Sequence, residues 1–143
     1  MKCNHCGKDT AESREIRHEV DVDGTRFVGK VPGHKCTSCK ETEIALDDLT
    51  RFERAVAMKL AEQGPVNGAS LRYMRKSIPL SAAALAELLR VAPETVSRWE
   101  TGERSVDRAA WLVVRSLLLD PRARSAIAKL QDEAPERPVA IAV

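Results

Sequence analysis

The chain has 143 residues, 43% hydrophobic and 31% charged, with a formal net charge of +2. No apolar run reaches membrane-spanning length and no secretory leader opens the chain, which excludes a membrane span and points to the cytoplasm. A length of this order allows one domain or two small ones. With aromatics at only 3%, any core is built from Leu, Val, Ala and Ile.

All four cysteines lie at the front, as Cys3-x-x-Cys6 and Cys36-x-x-Cys39. Two such pairs, facing each other across a folded-back loop, supply four thiolates to one tetrahedral zinc ion. Four thiolates close the metal shell, so the expected metal is structural, one per chain. His5 and His34 read as neighbouring surface residues. A redox dithiol fits poorly, because the first pair follows only two residues and no strand precedes it.

Between the pairs, Val20 and Val22 alternate with polar residues, Asp23-Gly24 supplies a turn, and Phe27 and Val31 continue beyond it. This predicts a hairpin that returns Cys36 to Cys6. After Cys39 the period becomes helical through Leu46, Leu49, Phe52, Val56 and Leu60, with Asp47 or Asp48 as the expected cap. Gly64-Pro65 stops that helix. Residues 64–68 are the expected linker, leaving 1–63 as the zinc-binding unit.

From residue 69 the pattern is all helical, giving an expected five-helix unit over 69–133. Leu71, Met74 and Ile78 mark its first helix, broken at Pro79. Ser81 caps a second, Ala82 to Leu89. Pro93 opens a third, which ends at Gly102. Ser105 or Asp107 opens a fourth, to about Leu119. Asp120-Pro121 starts a fifth, through Leu130. Residues 134–143, with two prolines and no period, are expected to be a flexible tail. The fold class is thus α+β: a small zinc-stapled hairpin-and-helix domain, then an all-α domain.

The second and third helices of the all-α unit form a helix-turn-helix pattern. Leu85, Ala86, Leu89, Val91, Val96 and Trp99 are its inner face. Glu94, Thr95 and Arg98 then point outward, near the end of a helix that fits the major groove of DNA. Arg98 can donate two hydrogen bonds to guanine O6 and N7. Thr95 can touch a thymine methyl or a phosphate. Glu94 either accepts from a cytosine N4 or favours the helix N-terminus electrostatically. Ser97 belongs to the same DNA-facing set. Ser81, Arg104 and Lys76 are candidate phosphate contacts. Residues 1–68 carry 11 Lys/Arg against 12 Asp/Glu and residues 69–143 carry 12 against 9, so the basic excess sits with the helix-turn-helix. The fourth helix is apolar almost all round. Its excess, Leu117 and Leu118 with Ile127 and Leu130, is the expected homodimer face, unless the fifth helix covers it within one chain.

The stretch from Leu80 to Gly102 resembles the lambda repressor-like (XRE) helix-turn-helix. In that family an ion pair joins the first and third helices, and Arg75 and Glu100 match it. Two positions depart from the pattern. Ala82 stands where Gln often contacts a phosphate, and Arg90 stands where the turn usually has Gly. An Arg there must accept a left-handed backbone, at a cost of about 1 kcal/mol, or the turn must be reshaped.

Taken with the opening Met-Lys-Cys-x-x-Cys and the second pair some thirty residues on, the chain is similar to the MqsA-family antitoxins, a YgiT-type zinc domain followed by the helix-turn-helix. The resemblance implies a protein that dimerises through its C-terminal domain and represses its own operon at a palindrome. It also implies a zinc domain that binds a toxin, usually a ribonuclease of RelE-like fold. The alternative is a freestanding XRE-type regulator whose zinc domain senses metal or binds another protein. An enzyme is not expected: no Ser/His/Asp set and no phosphate-cradling glycine loop is present, and the metal shell is full.

Overall fold

The computed structural model describes all residues, 1–143. Two long strands, β1 (Ala11–Val22) and β2 (Thr25–Cys36), form an antiparallel hairpin, and a two-residue strand, β3 (Thr42–Glu43), extends it in the order β1-β2-β3. The register closes with Val22 opposite Thr25. Asp23 and Gly24 sit between them with φ of 50° and 87°. That is a two-residue turn with both central residues left-handed, the kind whose twist suits a hairpin. The Asp21 carboxylate accepts from the Gly24 N–H at 2.8 Å. β3, which pairs with His34 and Lys35, was not legible in the sequence.

Helix α1 (Leu46–Gln63) lies against this hairpin. Its N-cap is Ala45, with no side-chain cap; Asp47 and Asp48 instead occupy the first turn. There they complement the helix dipole and do not cap. Phe52 packs where β1 and β2 carry the partnered residues His18 and Gly29. Its ring meets His18 edge-on with centroids 5.0 Å apart. A Cβ at Gly29 would lie 2.7 Å from the ring, so the glycine makes the seat for it.

Five helices follow: α2 (Gly68–Ser77), α3 (Ala82–Leu89), α4 (Pro93–Thr101), α5 (Arg108–Leu119) and α6 (Ala123–Ala128). Side chains open three of them. Asn67 accepts from the Ser70 N–H, Ser81 from Ala84, and Asp107 from Ala109 and Ala110. α6 is shorter than the sequence suggested. It begins at Ala123, because Asp120 uses its carboxylate on the Arg122 N–H at 3.0 Å and Arg122 is the N-cap.

One apolar cluster runs through the molecule. It joins Val22 at the hairpin tip and Val56, Ala57, Leu60 and Ala61 of α1 to Leu71, Met74, Leu85, Val96, Trp99, Trp111 and Val114. Two arginines tie α1 to α5 reciprocally: Arg115 donates to the Ala61 carbonyl at 3.0 Å, and Arg54 to the Leu118 carbonyl at 3.4 Å. Each satisfies a carbonyl in the last turn of the other helix, where none is available within the helix. Leu117 and Leu118 are only 2% and 1% exposed. They line the chain's own core and are not free for a second copy. The apolar groups that α5 and the following segment leave outside are Leu112, Leu119 and Leu130, with Ile127 half-buried against the core.

Candidate metal centre and nucleic-acid interface

Each C-x-x-C pair is a knuckle turn closed by backbone bonds. Gly7 donates to the Cys3 carbonyl at 2.9 Å, and Lys40 to the Cys36 carbonyl at 3.0 Å. Both turns pass through a left-handed residue, Gly7 and Lys40. The hairpin brings the knuckles together, with Ala11 donating to Met1 and Thr37 to Thr10.

The four sulfurs lie within 4.8 Å of one another. Cys3 and Cys39 are 3.7 Å apart, as are Cys6 and Cys36. A tetrahedral zinc with bonds of about 2.3 Å has ligand–ligand edges of roughly 3.8 Å. The donor set and its spacing therefore fit a single structural zinc held by Cys3, Cys6, Cys36 and Cys39. No cysteine is in a disulfide. Bound there, the metal crosslinks the two knuckles and closes the base of the hairpin.

Two of the thiols are shifted in opposite directions by their surroundings. A hydrogen bond from Thr10, whose Oγ1 is 3.0 Å from the Cys36 sulfur, together with the Cys39 N–H, lowers Cys36 to about 5. At Cys39 the Glu41 amide favours the thiolate, but burial and the bonds to the Cys36, Cys3 and Cys6 sulfurs outweigh it and raise the group to about 12. Four thiolates at this separation need a positive ion among them. His5 and His34 border the cleft beside the sulfurs without joining the ligand cluster.

The helix-turn-helix is built as its residue pattern requires. The Ser81 hydroxyl accepts from Ala84 at 3.0 Å and starts α3. Arg90 ends it in the left-handed region, φ 56° and ψ 42°. The turn is thus not reshaped: Arg90 takes the conformation that glycine would adopt without cost. Pro93 starts α4, and Gly102 ends it at φ 80°. Val96 and Trp99 are buried. Glu94, Ser97 and Arg98 are exposed, and Thr95 is half-buried. Thr95 lines a crevice with Val91, Ala92, Trp99 and Arg104.

Arg75 fixes this face from behind. Its guanidinium pairs twice with Glu100, Nη2 reaching Oε2 at 3.1 Å, and Nη1 donates to the Leu80 carbonyl at 2.8 Å. One buried side chain thereby holds α2, the entry to α3 and the end of α4 together. Ser81, Lys76 and Arg104 are all exposed. Lys76 borders a cleft shared with Thr50, Glu53, Arg54 and Tyr73. One neighbour of the face escaped the sequence reading: Glu103, whose carboxylate lies 3.7 Å from Arg98 Nε.

A helix-turn-helix family model matches residues 71–110. No curated protein matches the chain. The matched span runs from Leu71 within α2 to the start of α5, the same segment that carries the Arg75–Glu100 pair and the exposed Arg98. The molecule joins a zinc-binding cysteine cluster to an XRE-type helix-turn-helix, a non-catalytic DNA-binding module. No helix is long and apolar enough to cross a membrane.

Proposed function

We propose that the chain is an XRE-type transcriptional regulator that reads DNA with α4. Its zinc-clasped hairpin serves a second task, sensing metal or binding a protein. The observation that carries the reading is the exposed Arg98 on a helix anchored by buried Val96 and Trp99. In this reading Arg98 contacts a guanine edge, with Thr95, Ser97 and Glu94 beside it. Ser81, Arg104 and Lys76 meet phosphates. Base contacts would specify the site and phosphate contacts would position the protein on it. A palindromic operator fits a two-fold dimer with recognition helices about 34 Å apart. Exposed Leu112, Leu119 and Leu130 are the groups such a dimer would cover.

The test is a selection from a randomised duplex library, followed by titration of the preferred duplex. Arg98→Ala should abolish preference for it while the far-UV spectrum stays native. Equal preference in the variant would overturn the assignment of α4.

A second, narrower reading is an antitoxin that represses its own operon and neutralises a cognate toxin, a RelE-like ribonuclease, through the zinc unit. It is supported by the order of motifs: the opening Met1-Lys2-Cys3, the later C-x-x-C pair, and Ser97-Arg98-Trp99-Glu100 before Gly102. Affinity capture from the native host separates the two. A small ribonuclease copurifying in stoichiometric amount supports the antitoxin. Its absence, with DNA binding that follows zinc concentration, supports the regulator.

A further inference from the structure

The recognition helix ends in a reversal that places an acidic residue against its principal basic one. Gly102 takes the left-handed conformation, φ 80° and ψ 3°. The chain then folds back along the last turn, and the Arg104 N–H donates to the Arg98 carbonyl at 3.0 Å. Glu103 is thus held by backbone geometry on Arg98's own turn. Its Oε1 approaches Arg98 at Nε, 3.7 Å away. Two other carboxylates are near in sequence. Glu94 stands one turn earlier and makes no ion pair with Arg98, and Glu100 is committed to Arg75.

We propose that Glu103 is a positioning residue for base readout by Arg98. Approaching the guanidinium at Nε, it steers the side chain and leaves the terminal nitrogens to face two acceptors. Those are what guanine presents in the major groove, O6 and N7. A long side chain that is already oriented loses less rotamer freedom on forming a bidentate contact. Glu103 itself gains nothing from DNA, since a carboxylate near phosphates is repelled. It therefore trades affinity for selectivity. Removing its charge should weaken discrimination between bases while sparing or raising the affinity for any duplex. A residue with only a structural role would lower both together.

This inference rests on the DNA-binding reading above, and one set of titrations keeps the two distinguishable. The probes are the duplex selected by the wild-type chain, the same duplex with one G·C pair changed to A·T at the position where Arg98→Ala loses its preference, and an unrelated duplex. Glu103→Gln should lower the G·C over A·T preference by up to about fivefold, the scale of one exposed ion pair. Its affinity for the unrelated duplex should be unchanged or higher. In the Arg98→Ala background the same substitution should leave the preference where it was. Undiminished preference in Glu103→Gln, or an equal loss on all three duplexes, overturns the inference and leaves the reading of α4 intact. Full preference in Arg98→Ala removes the reading and the inference together.

Discussion

Gly68, the first residue of α2, packs its Cα onto the carbonyl of Trp99 in the last turn of the recognition helix. A methyl group there would overlap the Trp99 oxygen and lie 2.9 Å from the carbonyl carbon of Glu100. The obstacle is backbone, which cannot rotate aside. Gly68→Ala is expected to push α4 away from α2 and cost about 1–3 kcal/mol, with DNA affinity falling in parallel. Thermal unfolding and a duplex titration of the same preparation check this. A variant as stable as the parent would show that α4 accommodates the methyl.

The Arg75–Glu100 pair is nearly buried, at 10% and 9% side-chain exposure. Removing one partner strands the other charge, so Glu100→Ala should destabilise the chain by about 3 kcal/mol or more. Replacing both with apolar residues of similar size, Arg75→Met with Glu100→Leu, should recover most of that loss. Denaturant midpoints for the two single variants and the double variant measure the recovery. Additive losses would mean that the pair is not coupled.

The Tyr73 hydroxyl is buried without a hydrogen-bond partner. Burial, and secondarily the Glu53 carboxylate, raise its pKa from 10.0 to about 12. The folded form resists ionisation that the unfolded form allows. The associated stability is fully present below about pH 10 and is lost as pH rises toward 12. Tyr73→Phe should flatten this alkaline loss. At pH 7 it should be neutral or slightly stabilising, since it removes an unsatisfied polar atom. Melting temperatures from pH 7 to 11 check both arms, and a steeper alkaline decline in the variant would contradict the assignment.

Cys36→Ser removes one thiolate from the metal shell and the sulfur nearest Thr10. The base of the hairpin should open, with loss of stoichiometric zinc; duplex affinity should fall with it where the hairpin senses metal and stay unchanged where the hairpin binds a protein. Metal analysis, amide exchange over residues 1–43 and a titration give the three readouts. Protected amides in a zinc-free variant would show that the strands need no metal.

Much of this was legible because the helix ends are written in side chains. Ser81, Pro93, Gly102 and Asp107 each mark a boundary where the structure has one, and Asp23-Gly24 marks the hairpin turn. What escaped depends on partners distant in the chain. Ala45 starts α1 with no capping side chain. β3 is too short to show a period. Leu117 and Leu118 belong to an apolar run whose inner side only the packing of α1 and α2 decides. Gly68 reads as a breaker, and only the approach of Trp99 shows why nothing larger stands there. Glu103 carried no signal as an isolated acid; its pairing follows from the reversal at Gly102.

The hairpin is also a beam. The rises between the twelve residues of each strand, about 3.4 Å apiece, set its length at roughly 37 Å, with the cysteines at one end and Val22 embedded in the core at the other. The arginine ties between α1 and α5 stiffen the mount. Because Phe52 of α1 seats on the hairpin at Gly29 and His18, a displacement of the metal clasp has a packed route to the helices.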